Sequence, residues 1–186
     1  MDRRPGRSAG MSPAIAPVRE LQAAEQLEAL YRSCADDLYA YVASLLRDRA
    51  AAEDVTALAF ERVLRRRSRF DPRRGSERAW LFAIARNAAL DEVRRRRRTR
   101  SLMDELVSIQ VRDAAGDVDA ELADRRLAVR AGLERLAARE REVILLKFLG
   151  RLSNAELARV LGCSESNAGT RLHRAVSALR EVCDAP

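Results

Sequence analysis

The sequence predicts an all-α chain of two small helical domains joined by a flexible acidic linker. Three observations lead there. Apolar residues recur at helical spacing along nearly the whole chain, with no convincing period-two strand pattern. Charge is segregated: residues 61–100 carry fifteen arginines against five acids, net +10, whereas residues 101–124 carry one arginine against seven acids, net −6. The third is a helix-turn-helix pattern from Ser153 to Leu179, beyond the acidic stretch. At 186 residues the chain has room for one ordinary domain or two small ones.

The elements follow in order. Residues 1–19 are rich in Pro, Gly, Arg and Ser, lack the apolar core of a signal peptide, and read as a disordered tail. A first helix is predicted over about Glu20–Arg32 and a second over about Cys34–Arg47, with Tyr31, Leu38, Tyr41, Val42, Leu45 and Leu46 supplying apolar faces. A third, about Ala50–Arg67, places Val55, Ala59, Phe60 and Val63 on one side. Pro72 and Gly75 then break the helix, and Ser76 is placed to cap the next, about Glu77–Arg98. Leu81, Ile84, Ala85 and Ala88 make its apolar stripe. These four helices predict a bundle over residues 20–98, small but large enough for its own core.

Residues 99–120 read as a linker, with room for a short helix in Ser101–Val111. Order is expected again over residues 121–183. Leu122, Val129, Leu133 and Leu136 mark one helix; Val143, Ile144, Leu146 and Leu149 mark the next, which Gly150 ends.

Ser153 followed by Glu156 forms a capping box. The helix Asn154–Leu161 turns Leu157, Ala158 and Leu161 inward, and Ala158 is small where a second helix must cross closely. Gly162-Cys163-Ser164 is the turn: Gly tolerates the left-handed conformation and Ser164 caps the second helix. That helix, Glu165 to about Arg180, buries Ala168, Leu172, Ala175, Val176 and Leu179. It leaves Asn167, Thr170, Arg171 and Arg174 outward, as a recognition helix presents residues to a major groove.

The net charge of +7 and pI near 10.3 favour a polyanionic partner. The cation is almost always arginine, which bonds phosphate and guanine edges in bidentate fashion; Lys147 is the only lysine. Cys34, Cys163 and Cys183 are far apart and His173 is the only histidine, so neither a metal site nor a disulfide framework is expected, and no cofactor. A reducing cytoplasm is the expected compartment. With no nucleophile–base constellation, an enzyme is not expected.

Two motifs resemble the group 4, or extracytoplasmic function (ECF), sigma factors of the sigma-70 family of bacterial RNA polymerase. Ala52-Glu-Asp-Val-Thr56 through Phe60, Phe70-Asp-Pro-Arg-Arg-Gly-Ser76, Ala79-Trp-Leu-Phe-Ala-Ile-Ala-Arg-Asn87 and Leu90-Asp-Glu-Val-Arg94 are similar to that family's region 2. Leu136-Ala-Ala-Arg-Glu-Arg-Glu-Val-Ile144 and Leu152 to Leu179, with Arg171-Leu-His-Arg-Ala175, are similar to its region 4. The order and spacing of both halves make the resemblance specific.

The resemblance implies a promoter-specific initiation factor. Its partners would be core polymerase, through the β′ clamp helices and the β flap, promoter DNA and an anti-sigma factor, with no small-molecule substrate. It would work in the cytoplasm, at the nucleoid when active. Asp54, Ala57, Leu58 and Phe60 would lie in the polymerase-docking surface. Phe70, Arg73, Arg74, Trp80, Arg86, Asn87, Arg94 and Arg95 would meet the −10 element, where a base flipped out of the stack needs a pocket and the single strand needs cations. Ser164, Ser166, Asn167, Thr170, Arg171 and Arg174 would meet the −35 element, Arg171 nearer bases and Arg174 nearer phosphate.

Three positions depart from the family pattern. Ala57-Leu58 stand where a polar pair ending in Glu is common, Gly169 stands where Lys or Arg is usual, and Glu77 brings a negative charge close to the expected base pocket. These departures keep one rival open, a degenerate sigma-like interaction module; a second rival, a stand-alone helix-turn-helix regulator that binds duplex as a dimer, is disfavoured because no heptad seam is evident.

Overall fold

The computed structural model describes residues 15–102 and 120–184, with side chains over 24–99 and 128–183. Residues 1–14, most of the expected linker and the Leu122 side chain lie outside the described residues. Among the described residues the order is α1 (Ile15–Leu46), α2 (Arg49–Arg65), α3 (Glu77–Leu102), α4 (Ala120–Arg135), α5 (Ala138–Phe148), α6 (Asn154–Leu161) and α7 (Glu165–Asp184), with no strand. Two single 3-10 turns, Arg67–Arg69 and Pro72–Arg74, join α2 to α3.

α1 is one helix where the sequence predicts two, so the first domain has three helices and not four. The expected break at Ser33 fails for a local reason. Neither Ser33 nor Cys34 fixes a non-helical backbone, Ser33 Oγ donates to the Leu30 carbonyl at 3.1 Å within the helix, and Cys34 is buried in the core. The helix stops only at Arg47, which takes a left-handed φ of 51°. Asp48 then caps α2 by accepting from the Ala51 N–H at 2.9 Å. That bond, ahead of the hydrogen bond and charge of Arg96, holds the Asp48 pKa below its usual value. Arg96 at the far end of α3 pairs with Asp48 at 3.1 Å, so the basic end of α3 is tied back to the start of α2.

α1, α2 and α3 pack on one another around Leu38, Tyr41, Val42, Ala59, Val63, Leu81, Phe82 and Ala85. α7 carries α4, α5 and α6. Leu136, Ile144 and Ala175 form a small separate core with Leu133, Val176, Leu179 and Val182 packed against it. Val129, expected to face inward on α4, is half exposed.

The two domains share a core. Val143, Leu145, Leu146, Leu152, Leu157, Ala158 and Ala168 from the second domain join the apolar cluster of the first. α3 packs on α6 and α1 on α5. Each fully buried leucine here, such as Leu146 or Leu157, adds roughly 1.5–3 kcal/mol by leaving water. The domains are thus docked, an arrangement that the linker composition alone left open.

Candidate nucleic-acid interface

The helix-turn-helix forms as its caps dictate. Ser153 Oγ accepts from the Glu156 N–H at 3.2 Å while Glu156 Oε2 accepts from the Ser153 N–H at 2.9 Å. Gly162 ends α6 in the left-handed region at φ 68°, ψ 40°, and Ser164 Oγ accepts from the Asn167 N–H at 3.2 Å to start α7. Ala168 and Ala175 are fully buried, which fixes the opposite face outward. Ser164, Ser166, Asn167, Thr170, Arg171 and Arg174 are all exposed on it. Two hydroxyls are already engaged locally: Ser164 by its cap, and Thr170, which donates to the Ser166 carbonyl at 3.0 Å. The free polar groups are therefore Ser166, Asn167 and the two guanidinium groups. Gly169 lies roughly 160° round α7 from Arg171, and a Cβ there would meet nothing within 4 Å.

A second surface lies on the loop before α3 and on α3 itself. The Phe70 and Trp80 rings sit 5.4 Å apart at 36° and wall a cavity of about 310 Å³. Arg69, Arg74, Ala79 and Ala83 also line it. Arg73, Arg74, Asn87, Arg94 and Arg95 are exposed. Arg94 pairs with Asp91 at 3.1 Å and Arg95 with Glu92 at 2.7 Å. Hydrogen bonds from Arg95 and then Arg96 draw the Glu92 pKa down to about 2. The arginine run is thus partly neutralised by its own helix, leaving Arg97 and Arg98 exposed and without an ion pair among the described residues. Glu77, expected to bring charge to the base pocket, instead pairs with Arg67 at 2.6 Å and does not line the cavity.

Arg86 is not open to solvent. It pairs with Glu142 of α5 at 2.8 Å in a half-buried contact between the domains. Beside it the Tyr41 hydroxyl is buried without a hydrogen-bond partner. Burial, and then the Glu142 charge, push its pKa far up.

The third surface is on α2. Asp54 and Ala57 are exposed; the positions four away from Asp54 are Ala50 and Leu58, so α2 offers it no i, i+4 partner, and among the described residues it makes no ion pair. Leu58 is half-buried against the core. Phe60 lies where periodicity puts it, in the inward stripe of Val55, Ala59 and Val63: it is only 8% exposed and packs its ring 4.9 Å from Tyr31, so it does not open onto the docking surface that the resemblance implied for it. It supports the docking face from beneath.

Sequence reading missed the residues that join the domains. Arg78 uses all five guanidinium N–H donors. Nε donates to Gly150 O at 2.8 Å; Nη1 donates to Ser33 O at 2.9 Å and Cys34 Sγ at 3.1 Å; Nη2 donates to Leu149 O at 2.6 Å and to Asp37 Oδ2. It thereby satisfies carbonyls left open past the end of α5. Arg159 donates to the Arg74 carbonyl, and Glu156 accepts from Ser76. Only Glu156 carried a sequence signal, its place in the capping box, which accounts for one of its two carboxylate oxygens.

Comparison with known proteins accords with this architecture. The sigma-70 region 2 family model matches residues 30–99 and that of sigma-70 region 4 matches residues 126–179. The chain is 30% identical over 165 residues to the ECF RNA polymerase sigma factor SigX of Bacillus subtilis, covering 84% of this chain and 83% of that one. Its fold resembles the sigma factor RpoE in complex with the anti-sigma factor NepR from Bartonella quintana, with TM-score 0.68, 24% identity, and 85% and 96% of the two chains covered. It also resembles CnrH in complex with the cytosolic domain of CnrY, with TM-score 0.60, 28% identity, and 88% and 94% covered. The chain belongs to the ECF sigma factors of the sigma-70 family.

Proposed function

We propose that this sigma factor directs initiation through three surfaces. The outer face of α7 reads the −35 duplex, with Arg171 toward bases and Arg174 toward phosphate. The Phe70–Ser76 loop and α3 take the −10 single strand, one base entering beside Phe70 and Trp80. The exposed stripe of α2 at Asp54 and Ala57, edged by Leu58, meets the β′ clamp helices, and the second domain meets the β flap. The observation that carries this reading is the capped helix-turn-helix whose unburied face leaves Ser166, Asn167, Arg171 and Arg174 open.

The chemistry is then the polymerase's, and this chain supplies recognition and melting. CnrH is bound by the cytosolic domain of CnrY, which supports a protein partner for this chain as well, here proposed to be an anti-sigma factor. The working compartment is the cytoplasm, at the nucleoid when active. Among the described residues no helix is long and apolar enough to cross a membrane.

Run-off transcription with bacterial core polymerase on genomic promoter fragments tests this. Specific initiation is expected, with loss on Trp80→Ala or Arg171→Ala. Core binding without initiation would instead identify an interaction module, and tight duplex binding without core binding a stand-alone regulator.

A further inference from the structure

We propose that the first turn of α5, with Arg141 and with Arg47 from the end of α1, forms a binding site for a free oxyanion, inorganic phosphate or a phosphate monoester, which bridges the two domains. The site uses none of the residues assigned above to promoter DNA or to polymerase.

α5 begins without a side-chain cap. Ala137 stands at the N-cap position, and its methyl group accepts no hydrogen bond. The Glu140 and Arg141 N–H groups both turn to the Ala137 carbonyl at 3.0 Å, so those of Ala138 and Arg139 have no partner among the described residues. Open N–H groups at the positive end of a helix dipole favour an anion.

A buried cation points the same way. Arg141 is only 8% exposed, yet its guanidinium makes no hydrogen bond or ion pair among the described residues. Helical side chains lean toward the N-terminus, so Arg141 is directed back over the open N–H groups. Arg47 is exposed and also makes no ion pair among the described residues. α1 packs on α5, and the Arg47 charge reaches Arg141. Burial first, and then Arg47, lower the Arg141 pKa, against a smaller pull from Glu134. Two cations, one from each domain, therefore repel each other where the domains meet. One oxyanion offers acceptors to both guanidinium groups and to the two N–H groups. Arg139, exposed in the same turn, adds a third cation against the carboxylates of Glu134 and Glu140. Arg141 is too buried for a duplex backbone to reach it, so the ligand is small. Binding only the folded chain, it stabilises that chain by mass action.

The test uses the full chain without polymerase or promoter, so its outcome is independent of the initiation role. Inorganic phosphate is titrated in a zwitterionic buffer at an ionic strength held constant with sodium chloride. Urea midpoints and calorimetric heats are recorded. Wild type is expected to show a saturable rise in midpoint and binding of one phosphate per chain. Arg141→Gln should abolish both. Arg47→Asn, which accepts the left-handed backbone at that position, should weaken binding about tenfold. Arg47 is exposed, so this variant carries the test if Arg141→Gln fails to fold by circular dichroism. Arg171→Ala and Arg174→Ala should bind phosphate as wild type does. A midpoint that ignores phosphate, or that responds equally in Arg47→Asn, overturns the proposal. So does a labelled duplex that loses affinity in Arg47→Asn as phosphate does, since the oxyanion would then be a DNA phosphate.

Discussion

Ser76 and Glu156, one at the start of α3 and the other in the first turn of α6, join two helix N-termini through one carboxylate. Glu156 Oε1 accepts from the Ser76 N–H at 2.9 Å and from its hydroxyl, while Oε2 accepts from the Ser153 N–H at 2.9 Å. Ser76 Oγ in turn accepts from the Ala79 N–H at 3.2 Å, completing the cap of α3. Both helix dipoles direct their positive ends at the same anion. The mirror arrangement stands at the end of α5, where the Arg78 cation meets the Leu149 and Gly150 carbonyls. The domain boundary is thus built from helix-end chemistry, with each domain finishing a terminus of the other.

Acid should loosen this boundary within a defined window. Burial raises the Glu156 pKa, but the hydrogen bonds from Ser76 and Ser153 outweigh it and bring it from 4.5 to about 2. Glu92 is lowered to about 2 by Arg95 and Arg96. A carboxylate with a depressed folded pKa adds stability that is whole above its unfolded value and is lost as pH falls through the folded one. Urea midpoints should therefore hold level, as far as these two groups act, from neutral pH down to 4.5, then fall toward pH 2. The double variant Glu92→Gln/Glu156→Gln should fall less steeply there. An equal slope in the two chains would refute the assignment.

Gly169 gives a stabilising substitution and a gain of contact at one site. It lies within α7 and a Cβ would meet nothing within 4 Å, so nothing in the packing requires glycine. Gly169→Ala should raise stability by about 1 kcal/mol through helix propensity alone, read as a higher urea midpoint. Gly169→Arg should place a third guanidinium on α7, roughly 160° round the helix axis from Arg171. If it reaches a phosphate, the slope of log affinity for duplex against log salt should steepen by about 0.9. An unchanged slope would mean that this side of α7 faces away from DNA.

What could be read from the sequence, and what could not, divides by the range of the interaction. The capping box at Ser153, the Gly162 turn, the Ser164 cap and the inward faces of α2 and α3 depend on neighbours within a turn or two, and they stand as expected. The exposure of the six α7 residues follows from the burial of Ala168 and Ala175, which periodicity shows. Arg86 looked like a DNA cation because its partner, Glu142, lies 56 positions away. Glu77 looked like an intrusive charge because Arg67, ten positions earlier, is brought beside it only by the 3-10 turns. Phe60 was misplaced for another reason: a motif marks which segment docks, not which of its side chains face out.

Asp54 and Phe60 should therefore behave oppositely when each is cut to alanine. Asp54 is exposed and unpaired, so Asp54→Ala should leave the urea midpoint within about 0.5 kcal/mol of wild type. Its effect should appear in core polymerase binding, measured by competition against the unmodified chain. Phe60→Ala removes a buried ring that packs on Tyr31 and should cost about 3–5 kcal/mol. Any loss of polymerase binding in that variant should track loss of fold, recovering where Phe60→Leu recovers the midpoint. A stable Phe60→Ala that cannot bind polymerase would return Phe60 to the contact surface.

The two turns that flank α6 should tolerate alanine unequally, because glycine is needed at each for a different reason. At Gly162 the backbone is left-handed at φ 68° with open space around the Cα, so alanine meets only the intrinsic penalty, about 1–2 kcal/mol. At Gly150 the conformation is ordinary, but a Cβ would stand 2.3 Å from the Leu146 carbonyl oxygen and 3.1 Å from the Leu152 side chain. Backbone must move to admit it, and that same segment presents the Gly150 and Leu149 carbonyls to Arg78. Gly150→Ala should thus lower stability by more than Gly162→Ala and also expand the chain in scattering, since the shift withdraws two of the five acceptors that hold Arg78. Gly162→Ala should lower the unfolding midpoint while the folded chain stays compact. If both variants remain equally compact, the Arg78 carbonyl bonds do not govern how the domains dock.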